Sequence, residues 1–145
     1  MIFVFGSNKA GIHGAGAARY AYEQLGAVWG VGEGLTGGGP DDFPMCYALP
    51  TKGWKIEKIP LEEVANSVTR FIEVAEYWAL RDGEFKVTQV GCGLGGFRKE
   101  QIAPLFKAAP DNCFFDEEWK PILGDRFKYW GTVLSDPRLN TRSIL

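Results

Sequence analysis

A chain of 145 residues is long enough to bury one genuine core and is the size of a single ordinary domain. Hydrophobic residues at 46% and charged residues at 23% exclude wholesale disorder. A net charge of −2 with a pI near 5.5 excludes a strongly basic nucleic-acid binder, though not a local basic patch.

In chain order, residues 1–5 (MIFVF) form a short continuous apolar run, the pattern of a strand buried on both faces. The start carries no basic n-region or cleavage signature of a signal peptide. A glycine-punctuated loop follows over residues 6–14. Ala17, Ala18, Ala21, Tyr22 and Leu25 then fall at helical spacing, with Gly26 placed to end the helix. Residues 27–29 suggest a short strand. Residues 30–44, dense in glycine with two prolines, predict an irregular loop. Residues 45–49 predict a strand. Residues 61–81 predict the longest helix, with Leu61, Val64, Ala65, Val68, Phe71, Ile72 and Ala75 on one face. Pro60, Glu62 and Glu63 suit its N-terminus, Arg81 its C-terminus, and Gly83 its stop. The alternating run 85–90 (FKVTQV) predicts a strand. Residues 91–96 are a second glycine loop. Residues 99–108 predict a helix that Pro104 kinks or confines to two short turns, and residues 113–115 a last strand.

Strands alternating with helices define an α/β class with a parallel or mixed sheet. Residues 116–145 carry Trp119, Phe127, Tyr129 and Trp130 without a clear period. They are expected to form an irregular extension packed on the domain, with a partner or oligomer contact as the alternative. No apolar run approaches the roughly 20 residues of a membrane helix, so no membrane partner is expected. Three scattered cysteines, Cys46, Cys92 and Cys113, argue against a disulfide framework and for a reducing, cytoplasmic compartment.

Nineteen glycines exceed the usual usage of about 7%, and two glycine-bearing segments share one grammar. IFVFGSNKAGIHGAGAA and VTQVGCGLGGFRKEQIAPLF each read strand, glycine turn, helix. Ligands of α/β sheets bind beyond the carboxyl ends of the strands. Helix N-termini there offer unpaired N–H groups and a partial positive charge, and glycine admits close approach of an anion. Two such loops together can cradle a diphosphate; tight turns alone are the plainer alternative. GxxxxGK[ST] is absent, and neither loop matches GxGxxG with its distant acid, so P-loop and Rossmann sites are excluded.

At these residues the chain resembles the macro domain superfamily, whose members bind ADP-ribose. GCGLGGF (residues 91–97) resembles the second phosphate loop of that fold, and SNKAGIHGAGAA (residues 7–18) the first. LPTK (residues 49–52) resembles the strand-end PTK segment of the branch that holds the terminal ADP-ribose protein glycohydrolase and the DNA ADP-ribosyl glycohydrolase antitoxins. The resemblance spans residues 1–115 and implies a three-layer α/β/α fold with a mixed central sheet. It leaves residues 116–145 uncovered.

By position, the resemblance implies that Gly14, Ala15 and Gly16 bind one side of a diphosphate and that Cys92, Gly93, Leu94, Gly95 and Gly96 bind the other through backbone N–H groups. Asn8 would lie near the distal ribose, and Lys52 would attack or hold its anomeric carbon. A solvent-exposed lysine and an Asx-turn asparagine are the plain alternatives. The family's usual acids are missing: Gly95 and Gly96 stand where the protein glycohydrolase has an aspartate, and Ala17 and Ala18 where another subclass has an acid. Glu33, in a flap formed by residues 30–39, is the nearest substitute as acid or base. His13, the single histidine, is a candidate for phosphate contact or proton transfer. Phe97 is the first candidate for adenine stacking, ahead of Trp29, Phe43 and Trp54. Cys92 with His13 as its base is a weak nucleophile candidate, and the spacing of His13 and the cysteines suits no metal. The expected ligand is ADP-ribose or an ADP-ribosylated protein or nucleic acid, with no cofactor. The expected activity is hydrolysis at the distal ribose, or binding without turnover. Most glycines should line one cleft.

Overall fold

The computed structural model describes residues 1–39, 41 and 43–133. Six strands are present there: β1 (Ile2–Asn8), β2 (Gly34–Gly38), β3 (Pro44–Lys52), β4 (Phe85–Val87), β5 (Cys113–Asp116) and β6 (Lys128–Gly131). They form one mixed sheet of order β2-β3-β1-β4-β5-β6. All neighbours run parallel except β2, which pairs antiparallel with β3 at one edge.

Alternation along the central strands sorts their side chains into two cores. Ile2 and Val4 of β1, with Tyr47 and Leu49 of β3, face a large cluster with α2 (Leu61–Ala79). Phe3 and Phe5, with Cys46 and Ala48, face a smaller cluster with α1 (Gly16–Gln24). Because successive side chains on a strand point to opposite faces, helices cover both sides of the sheet, an α/β/α sandwich. Ala17, Ala18 and Ala21 supply the buried side of α1, so this helix packs closely on β1.

The structure corrects several sequence-based expectations. Residues 27–29 are not a strand: the Val28 N–H donates to Thr36 Oγ1 instead of to a ladder. Residues 30–44 are not wholly irregular, because Gly34–Gly38 pairs with β3. GLTGG has poor intrinsic strand preference; the neighbouring β3 edge imposes its pairing. The strand expected over 85–90 ends at Val87, where the chain turns through a Val90 N–H to Thr88 carbonyl bond of 2.7 Å.

Residues 116–133 are no irregular extension. Trp119 is fully buried against Phe106 and Phe115, and β6 completes the sheet beside β5. The Trp130 Nε1–H donates to the Val87 carbonyl at 2.9 Å. The aromatic run therefore belongs to the core; the remainder of the expected extension, residues 134–145, lies outside the described residues.

Helix ends follow the sequence more closely. Gly26 adopts the left-handed φ of +76 expected of a helix-ending glycine, and the Leu25 and Ala27 N–H groups both reach the Ala21 carbonyl, at 3.0 and 3.1 Å. At the end of α2 the left-handed residue is Asp82, not Gly83, and the Arg81 guanidinium donates to the Tyr77 carbonyl at 2.8 Å. Pro104 does divide its segment, into α3 (Lys99–Ile102) and a 3₁₀ turn (Ala103–Phe106). The last helix, α4 (Lys120–Leu123), sits between β5 and β6. Among the described residues no helix is long and apolar enough to cross a membrane.

Phe71 joins α2 to the sheet through edge contacts with Tyr47, Phe85 and Phe106. Phe71→Ala is expected to lower the unfolding free energy by about 3–5 kcal/mol, read from urea denaturation. A loss under about 1 kcal/mol would contradict its place at the centre of the core.

Candidate functional site

Three adjacent parallel strands, β3, β1 and β4, end at the same edge of the sheet, and one cleft of about 250 Å³ opens there. Its floor holds Gly6, Ser7 and Asn8 from β1, Thr51 and Lys52 from β3, and Thr88, Gln89 and Val90 beyond β4. One wall is Gly14, Ala15 and the start of α1; the other is Gly91, Gly93, Leu94 and Gly95. Both glycine loops thus meet at one cavity.

The loops present backbone donors to it. Ala15 sits at the N-cap of α1 with no side-chain hydrogen bond, and no acid occupies the first turn. The amide N–H groups of Gly14, Ala15, Gly16, Ala17 and Ala18 have no hydrogen-bond partner among the described residues. The same holds for Gly93, Leu94 and Gly95. The second loop folds back on itself: the Gly96 N–H bonds the Gly93 carbonyl and the Phe97 N–H the Gly91 carbonyl, both at 2.9 Å. A Cβ on Gly95 would lie 2.6 Å from the Gly91 carbonyl oxygen, so this tight loop requires glycine there. Unpaired backbone N–H groups are costly when buried, and two sets facing one cleft form a cradle for an anion.

The side chains expected to act divide into those brought to the cleft and those kept from it. Lys52 lines the floor and has no ion-pair partner among the described residues. Asn8 also lines it, yet both its polar atoms serve the first loop. Its Oδ1 accepts from the Ile12 N–H at 3.0 Å and its Nδ2 donates to the Ile12 carbonyl at 2.9 Å.

His13 is fully buried beneath the loop, with Nε2 at 3.0 Å from the Val28 carbonyl and its ring against Phe5 and Trp29. It does not line the cleft. Glu33 is clamped by the Arg70 guanidinium at 2.6 and 3.1 Å, away from the cleft lining. The flap expected over residues 30–39 is likewise absent. Ser7 Oγ donates to the Gly32 carbonyl, and a Cβ on Gly32 would come within 2.4 Å of the Asn8 carbonyl oxygen. This segment is therefore pressed against β1 and is not free to close.

In the second loop, Cys92 and Gly96 give their N–H groups to carbonyls of the chain, Gln89 and Gly93, and neither lines the cleft. Burial, with Glu100 and Asp116 nearby, pushes the Cys92 thiol up to about 12, which disfavours the thiolate that a nucleophile needs. Phe97, expected as the adenine platform, packs on the large core with Lys58 above its ring and is not among the lining residues. Trp29, Phe43 and Trp54 are not among the lining residues either. Of the basic residues in the first loop and α1, Lys9 pairs with Glu63 and Arg19 with Glu23. Among the described residues no group of three His, Cys, Asp or Glu could hold a metal. The expectation that most glycines line one cleft is not met: of the nineteen, Gly6, Gly14, Gly16, Gly91, Gly93 and Gly95 line it, and those of residues 30–39 do not.

Sequence reasoning missed Gln89. Its Nε2 donates to Asp116 Oδ2 at 3.2 Å, and Asp116 also accepts from the N–H groups of Val133 (3.1 Å) and Glu118 (2.9 Å). The fully buried Asp116 carboxylate thus fixes a carboxamide at the cleft. The only available signal was the place of Gln89, two residues before GCGLGG. Compared with protein-family models, with curated proteins and with solved structures, the chain matches none.

Burial pulls the His13 imidazole below its ordinary value near 6.5, partly offset by the Val28 and Val31 carbonyls. The unfolded chain therefore binds the proton more readily than the fold does. Stability is fully present above about pH 6.5 and falls with acidification until the folded-state value is passed. In thermal melts between pH 7.5 and 5, wild type is expected to lose more melting temperature than His13→Phe; parallel curves would remove this role.

Proposed function

We propose that this protein is a macro-domain-like module that binds ADP-ribose, or an ADP-ribosyl group on a conjugate, and cleaves the bond at the distal ribose. The observation that carries the reading is the pair of unpartnered N–H arrays, at residues 14–18 and 93–95, facing one cleft at the ends of β3, β1 and β4. Donors on opposite walls suit a diphosphate, which carries charge on both phosphates, better than a single phosphate. The cleft volume lies just below the usual range of about 300–1,000 Å³, enough for a diphosphate and one sugar with the base toward the mouth. The motifs GAGAA, PTK and GCGLGG support the same ligand by resemblance.

Lys52 is the candidate for chemistry. It stands on the floor beside both walls, where its amine can attack or hold an anomeric carbon. One observation favours a second reading, binding without turnover: no Asp, Glu or His is among the cleft-lining residues. With Glu33 and His13 engaged elsewhere, any acid–base step rests on Lys52, on water or on the ligand itself.

Calorimetric titration with ADP-ribose tests the binding, and no heat at millimolar ligand would overturn it. Gly14 offers a variant that separates ligand from fold. Its φ is not left-handed and an added Cβ meets no atom within 4 Å. Gly14→Val is expected to melt like wild type while weakening ADP-ribose binding at least about tenfold, through obstruction of the cradle. Incubation with ADP-ribosylated protein and ADP-ribosylated DNA then separates hydrolase from reader. Lys52→Ala is expected to lower any turnover by about a hundredfold or more; equal rates would eliminate the lysine mechanism.

A further inference from the structure

The turn that follows Lys52 carries an unusual backbone. Lys52 and Lys58 form an antiparallel bridge, and residues 53–57 close its tip. The Ile56 N–H bonds the Gly53 carbonyl at 3.0 Å, the Gly53 N–H bonds the Glu57 carbonyl at 2.9 Å, and the Lys55 N–H bonds Glu57 Oε1 at 2.9 Å. Within this turn Ile56 adopts φ +62. A β-branched side chain is a genuine outlier there; glycine or asparagine is the ordinary occupant of such a position. Backbone strain of this kind persists where the surroundings over-determine it, and it clusters at ligand sites.

The fold gains little packing from Ile56 in return. Its side chain is 42% exposed and belongs to neither hydrophobic core, nor to the partly buried residues packed on them. What it does is line the cleft, on the same side as Lys52. Two further exposed aliphatic residues do so from separate loops, Ile12 at 39% and Leu94 at 53% exposure. The cleft therefore combines a cradle of backbone donors with an aliphatic lip.

We infer that Ile56 is a specificity-determining residue of this cleft, held by its turn in an unfavourable conformation so that its side chain packs on an uncharged ring face of the ligand next to the phosphate cradle. The inference rests on the nucleotide reading given above and adds to it a contact outside the recognised loops. A saturated sugar or a heterocycle has the flat, weakly polar face that a sec-butyl group covers well. The ligand is thus one in which a ring directly adjoins the phosphates.

The test measures stability and affinity together, with ADP-ribose as the probe. Ile56→Gly and Ile56→Asn relieve the left-handed conformation, Ile56→Val keeps both the strain and the aliphatic face, and each is taken through thermal melts and calorimetric titration. The glycine and asparagine variants are expected to melt at or above the wild-type temperature while binding ADP-ribose about tenfold more weakly. Ile56→Val should bind like wild type. If the glycine and asparagine variants bind as tightly as wild type, the contact does not exist. Should both melt well below it, Ile56 serves packing, and the inference fails on that ground. A wild type that binds no ADP-ribose overturns the nucleotide reading and the inference together, whereas binding that ignores position 56 overturns the inference alone.

Discussion

The first strand constrains everything else in this molecule. Parallel neighbours on both sides and a helix layer on each face leave β1 no solvent-facing side, so its apolar residues are buried almost completely. Parallel pairing also dictates where the chain goes next. Strands that run the same way end at the same edge, and each connection must cross back over a face before the next strand can begin. The carboxyl ends of β3, β1 and β4 therefore share one edge, and the loops that leave them are brought together there. The cleft follows from that topology.

Glycine then sets how closely those loops can approach the strand ends and each other. At Gly95 and Gly32 the neighbouring backbone lies where a Cβ would be, so these positions serve the fold whatever binds nearby. Gly14 is different, because nothing in the protein requires the absence of its side chain. The compositional excess is thus a mixture of close-approach, helix-ending and cleft-lining positions.

The polar interior is organised by side chains that hydrogen-bond to the protein itself. Asp116 ties the end of β5, the start of the following turn, the chain at Val133 and the Gln89 carboxamide into one network. Asn8 shapes the first loop through both atoms of its amide, and His13 supports that loop from beneath as a neutral ring. Hydrogen bonding offsets the cost of burying these groups, although His13 Nδ1 has no partner among the described residues. The cleft is left with backbone donors, a lysine, hydroxyls, an amide and an aliphatic lip, a set suited first to recognition.

The sequence by itself determined the α/β class, the two strand–loop–helix units, the long amphipathic α2 and the break at Pro104. Each of these rests on local periodicity or on the stereochemistry of one residue. Most of both glycine loops was legible because they follow strand ends, and Lys52 through the resemblance of LPTK to a strand-end motif; Cys92 and Gly96 were not, because their N–H groups turn to carbonyls of the chain. Tertiary structure alone decided the rest. Gly34–Gly38 is a strand only because an unpaired β3 edge adjoins it, and Lys128–Gly131 only because β5 does. Whether Glu33 faces the cleft or Arg70, whether His13 is exposed or buried, and whether Phe97 meets a ligand or the core depend on contacts between residues far apart in sequence. Nothing in a residue's own neighbours encodes which partner it will reach once the helices have crossed the sheet.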